Sequence, residues 1–120
     1  MGMFQVKVKI ANPLEPGKVA EAELVVSNRA TLSWIARDVL QELNIQPHHW
    51  LPFVFSDGRR AKRDVGFAVL TVADKSMGVP IAFAERGDVP VFGLTSLEIL
   101  GLEIDPSRNR LLNRRHPYRI

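Results

Sequence analysis

Residues 24–45, LVVSNRATLSWIARDVLQELNI, limit the fold more than any other part of the chain. An apolar run breaks at the polar elbow Ser27, Asn28 and Arg29, resumes briefly, and passes into a segment with one apolar and one charged face. Ile35, Val39, Leu40 and Leu43 fall at helical spacing with Arg37, Asp38, Gln41 and Glu42 opposite, which predicts a helix starting near Ile35. Asn44, a residue that tolerates the left-handed conformation, is placed to end it. A strand that stops at an elbow and turns into a helix displays side chains where functional groups usually sit.

The flanking segments read mainly as strands. Phe4, Val6, Val8 and Ile10 alternate with Gln5, Lys7 and Lys9, the period of a strand with one buried face. Two prolines and a glycine in residues 12–17 reverse the chain, and Ala20, Ala22, Leu24 and Val26 line the return arm. Residues 51–55 and 65–72 form a second hairpin around Ser56, Asp57, Gly58 and Arg59, with Asp-Gly as the turn signal and a basic tip. After a loop at 75–78, residues 79–84 and 89–94 are apolar strands. Thr95 and Glu98 stand at capping-box spacing for a helix over 96–100 that closes at Gly101, and Leu111 and Leu112 make a last short strand. The pattern Leu-x-x-Leu followed by Asn or Gly occurs at Leu40 and again at Leu97, each time after a strand and an elbow, which suggests two related halves.

Composition narrows the chemistry. A chain of 120 residues, 46% of them hydrophobic, makes one domain with one core but is short for an enclosed cleft, which a partner subunit would complete. The absence of cysteine excludes disulfides, thiolate metal sites and cysteine nucleophiles. His48 and His49 are adjacent in a connector, point apart, and have no third ligand nearby, so no metal is expected. No apolar run of signal or membrane-spanning length occurs, and the expectation is a soluble, cytoplasmic protein. The net charge of +3 is concentrated after Asp105, where Arg108, Arg110, Arg114, Arg115 and Arg119 follow with no acidic residue. With Tyr118 the only Phe, Tyr or Trp ring in that tail, a solvated end is favoured over a nucleic-acid site.

The elbow followed by Ala30, Thr31 and Ser33, the Leu-x-x-Leu-Asn helix, the Ser-Asp-Gly-Arg hairpin and the final Gly-Leu-x-x-Leu-x-x-Leu-Gly-Leu-x-x-Asp-Pro resemble, in order, the small single-lobe retropepsin-like aspartic proteases. The resemblance runs over about residues 4–112. It implies a mainly β domain over 1–112, a closed β-barrel with one or two short helices that works as a homodimer without a cofactor, followed by a basic tail over 113–120. It also implies that Ser56, Asp57, Gly58 and Arg59 form a flap over a cleft, with Phe92, Gly93 and Leu94 in its floor.

In that family the elbow carries an aspartate, a hydroxyl residue and a glycine, and two aspartates sharing a proton activate water. Here the positions are Ser27, Asn28 and Arg29, followed by a matching Ala30. Serine has no acidity near neutral pH, and Arg29 puts bulk and charge where glycine permits close approach. The expectation is therefore an inactive, dimeric module that binds a peptide or protein. The alternatives are a peptidase with an unusual site, using Ser27 with His48, His49 or His116, a basic nucleic-acid-binding module, or a β-grasp interaction domain.

Overall fold

A computed structural model describes residues 3–120. The order of elements is β1 (Gln5–Asn12), β2 (Glu15–Val26), β3 (Ser33–Ala36), α1 (Arg37–Glu42), β4 (His49–Val54), β5 (Arg60–Val72), β6 (Lys75–Ala84), β7 (Val91–Phe92), α2 (Leu94–Ile99), β8 (Leu102–Asp105) and β9 (Arg110–Asn113). The architecture is mainly β with two short helices, as the sequence indicated. Seven strands pair in the order β1-β2-β7-β3-β6-β5-β4, and β1 also pairs with β5, so the chain of pairings returns to the strand it began on. Strand β4 lies outside that ring. The strands β8 and β9 form a separate two-stranded sheet.

The first hairpin closes as alternation required, with Gln5 opposite Val25 and Ala11 opposite Val19, but the reversal expected over 12–17 is confined to Pro13 and Leu14, and Pro16 and Gly17 lie in β2 because Asn12 already pairs with Glu15. Its turn is tied down by a residue that local pattern did not single out. The buried Asn12 amide donates to the carbonyls of Leu43 and Asn44, both at 3.0 Å, and its oxygen accepts from the Leu14 N–H at 2.9 Å. Helix α1 thus ends against the hairpin, and Asn44 has the expected left-handed φ of 59°.

Other expectations are corrected. The helix predicted from Ile35 begins only at Arg37, because residues 33–36 are a strand running parallel to β6, with Ser33 opposite Ile81 and Ala36 opposite Ala84. Trp34 and Ile35, adjacent in sequence, serve different hydrophobic clusters, which a strand allows and one helical face does not. The loop predicted at 75–78 belongs to β6, since Ala73 and Asp74 make the turn and Val72 already pairs with Lys75. The strand predicted over 89–94 is reduced to Val91–Phe92.

The main core is built from Ile10, Leu24, Ile35, Leu70, Ile81, Phe83 and Phe92 among others, all essentially inaccessible to solvent. Burying each such side chain stabilises the fold by about 1.5–3 kcal/mol. A second, smaller cluster contains Trp34, Val65, Ala82 and Ala84, with Phe53, Phe55 and Val91 against it. Strand β5 serves both. Ala68, Leu70 and Val72 point into the main core, whereas Val65 belongs to the second cluster and Ala61 and Arg63 alternate with exposed Arg60 and Lys62, so the buried face changes at Val65 and Gly66. At Gly66 a Cβ would lie 2.8 Å from the Gln46 carbonyl oxygen, so the connector after α1 crosses the strand closely at this point.

Candidate functional site

The elbow at Ser27 is held by the second elbow, which precedes α2. The Ser27 N–H donates to the Phe92 carbonyl at 3.0 Å, while the N–H groups of Leu94 and Thr95 donate to the carbonyls of Ala30 at 2.7 Å and Thr31 at 3.0 Å. This exchange corrects the expected capping box. Helix α2 starts at Leu94, two residues early, with Gly93 as its cap and no side-chain cap bond, because carbonyls of the other elbow accept from its first turn. Beneath it, Ser33 Oγ accepts from the Gly93 N–H at 2.9 Å and lies 2.6 Å from Ser96 Oγ, both hydroxyls being fully buried. A Cβ on Gly93 would fall 2.3 Å from the Leu32 carbonyl oxygen and 2.9 Å from that of Ala30.

Ser27 itself is half-buried, and its Oγ accepts from the N–H groups of Arg29 at 3.2 Å and Ala30 at 3.4 Å. Among the described residues no histidine or carboxylate hydrogen-bonds to it. His48 lies edge-on to Phe67 instead, with ring centroids 5.6 Å apart. The same two N–H groups could also donate to a carboxylate placed at this position.

Opposite the elbow stands the β4–β5 hairpin, with His49 opposite Val65 and Val54 opposite Arg60. Its tip turns at Gly58, whose φ is +89°, and Asp57 accepts from the Arg59 N–H at 3.0 Å and from its Nε at 2.8 Å. Strand β4 is the free end of the sheet. Phe55 N–H donates to Arg59, so by alternation the nitrogen of Pro52 falls on the open edge, where its missing N–H costs the β4–β5 ladder nothing.

Between elbow and hairpin runs a groove of about 990 Å³. Ser27, Arg29, Ala30, Thr31 and Leu32 line one side, and residues 51–57 with Arg59 the other. Trp34 forms its inner wall, packed edge-on against Phe53 at 4.9 Å and Phe55 at 5.6 Å. Gly87, Asp88, Val89 and Val91 close the end. The structure therefore brings Ser27, Arg29 and Ala30 together with Ser56, Asp57 and Arg59 around one space. Asn28 and Gly58 are exposed and do not line it. Phe92, Gly93 and Leu94, expected in the floor, do not line it either: Phe92 points into the main core, and Gly93 is buried under the first elbow. Val89 and Val91 take that place.

Two ion-pair systems fix the hairpin base. Arg63 holds Asp88 through two bonds, at 2.7 and 3.0 Å, and Asp88 also accepts from the Glu85 N–H at 2.8 Å. Arg37 joins Glu85 and Asp64, each at 2.6 Å, and these carboxylates push its pKa upward. The Arg63 guanidinium holds Asp88 below the usual carboxylate range, and Arg59 does the same for Asp57. Sequence reading missed Trp34 and the Arg63–Asp88 pair, partners separated by 25 residues with no local signature. Among the described residues, no group of three or more His, Asp and Glu side chains is placed to hold a metal ion.

No family model and no curated relative matches the sequence. The architecture does have a counterpart among solved structures, a retropepsin-like aspartic protease from Rickettsia conorii, with a TM-score of 0.50 over 88% of this chain and 86% of that one at 14% identity. The fold is retropepsin-like. At that identity the likeness concerns the fold alone. In this fold the two elbows are joined by the backbone hydrogen bonds from Ser27, Leu94 and Thr95, and the β4–β5 hairpin lines the groove. No helix among the described residues is long and apolar enough to cross a membrane.

Proposed function

We propose that this chain is a retropepsin-like domain without aspartic chemistry, and that it binds an extended peptide or protein segment in the groove between the Ser27 elbow and the β4–β5 hairpin. One observation carries the reading. The carboxylates lining the groove, Asp57 and Asp88, are each bonded to an arginine and shifted toward lower pKa, which makes both poor proton acceptors for a water nucleophile. Ser27 occupies the position where the family resemblance calls for the water-activating aspartate, and among the described residues its Oγ is bonded only by backbone N–H groups.

Purified protein incubated with a mixed peptide library from acid to neutral pH should yield no new termini by mass spectrometry. Cleavage that disappears in Ser27→Ala would overturn the reading and establish a peptidase with an unusual site. The proposal further takes the ring of strand pairings as a closed barrel, the chain as a homodimer, and its compartment as the cytoplasm. Light scattering should then return twice the 13.5 kDa chain mass, and a monomer at working concentration would remove the dimer.

A further inference from the structure

We infer that the groove selects acidic extended peptides and that Arg29 is the residue that reads the ligand's carboxylate. The inference rests on the groove being a peptide site and goes on to name the class of peptide. Among the described residues, four charged ones line the groove, namely Arg29, Asp57, Arg59 and Asp88. Three of them are committed. Asp57 and Arg59 hold each other at 2.8 Å, with the Arg59 guanidinium also 4.8 Å from the centre of the Phe55 ring. Asp88, its side chain only 6% exposed, is locked by Arg63.

Arg29 is the exception. It is exposed, and among the described residues its guanidinium joins no salt bridge and no hydrogen bond; only its backbone N–H is engaged, by Ser27. Among the described residues the groove thus offers one unanswered positive charge, on the elbow side, and no unanswered negative charge.

The remaining lining sets the other half of the specificity. Leu51, Val54 and Val89 are large apolar side chains that line the groove while remaining 38%, 62% and 62% exposed. An extended chain points successive side chains to opposite sides. A segment alternating acidic with aliphatic or aromatic residues therefore sets a carboxylate toward Arg29 and apolar groups toward the hairpin wall. Backbone pairing along β4 contributes less than along an uninterrupted edge, because Pro52 removes one donor from the free edge of that strand. Single-stranded nucleic acid is the other anionic ligand that charge alone would admit. Its bases need free aromatic faces, and Trp34 is 8% exposed and packed edge-on by Phe53 and Phe55.

The test uses fluorescence anisotropy with three labelled peptides, one alternating Glu with Leu and Phe, one with Gln in place of Glu, and one with Lys, together with a labelled oligothymidylate. The Glu peptide should bind about tenfold more tightly than the Gln peptide at low salt, a gap that narrows as salt is raised. Arg29→Gln should abolish the gap and Arg29→Lys should restore most of it. Since the Arg29 guanidinium makes no ion pair or hydrogen bond among the described residues, both variants should melt with the natural chain. Equal affinity for the Glu and Gln peptides, or a gap that survives Arg29→Gln, overturns acidic selection and leaves the peptide groove standing. Failure of every peptide to bind overturns both readings. Tighter binding of the oligothymidylate than of the Glu peptide overturns the inference in favour of a nucleic-acid ligand.

Discussion

Gly93→Ala should destabilise the chain by about 3 kcal/mol or more, a large part of the 5–15 kcal/mol that typically holds a domain of this size. The added Cβ would sit 2.3 Å from the Leu32 carbonyl oxygen and 2.9 Å from that of Ala30, and both obstacles are backbone rather than the ends of flexible side chains. Relief requires the elbows to separate, which stretches the Leu94-to-Ala30 and Thr95-to-Thr31 hydrogen bonds and the buried contact of Gly93 with Ser33. Thermal unfolding followed by circular dichroism should show the midpoint falling by more than about 10 °C. Gly78→Ala is the matched control, because a Cβ there meets nothing within 4 Å. A Gly93→Ala protein that melted with the control would show that the elbows do not meet backbone to backbone.

Asp88→Asn should cost about 2–4 kcal/mol, because it leaves the largely buried Arg63 guanidinium without its counter-charge while preserving an oxygen for the Glu85 N–H. The same pair sets an acid limit. Arg63 holds the Asp88 carboxyl below its usual range in the folded chain, so its contribution is complete above about pH 4 and is lost as pH falls through the lowered folded value. Denaturant titrations below pH 5 should show the natural chain losing stability faster than Asp88→Asn, whose curve is flatter because that carboxyl is gone. Amide exchange should quicken in the hairpin around residues 60–64 more than in β6. Asp57→Asn, at the exposed tip, should change the melting curve little. Parallel acid profiles for the natural chain and Asp88→Asn would rule out the ion pair as the source.

What the sequence made legible was set by neighbours a few residues apart. The first hairpin, the Asp-Gly turn, and the left-handed residues Asn44 and Gly101, with φ of 59° and 67°, all follow from local periodicity and turn chemistry. What it concealed was decided at long range. Thr95 and Glu98 carry a sound capping-box signature, yet the first turn of α2 finds acceptors in Ala30 and Thr31 of the other elbow. Ile35 fits the helical stripe, yet pairing with Phe83 of β6 holds it in a strand. The elbow residues Ser27, Arg29 and Ala30 line one side of the groove, and the hairpin residues Ser56, Asp57 and Arg59 the other. The aromatic wall between them depends on Trp34 meeting Phe53 and Phe55, which no spacing rule announces.

Strand β5 changes its buried face at Val65 and Gly66, and this divides the molecule energetically. Below that point the strand is fixed by the main core. Beyond it the hairpin packs on the Trp34 cluster and is tied by the Arg63–Asp88 and Arg37–Asp64 ion pairs. The hairpin is thereby anchored by one small aromatic cluster and these ion pairs, a smaller contact than the main core gives to the ring of strands.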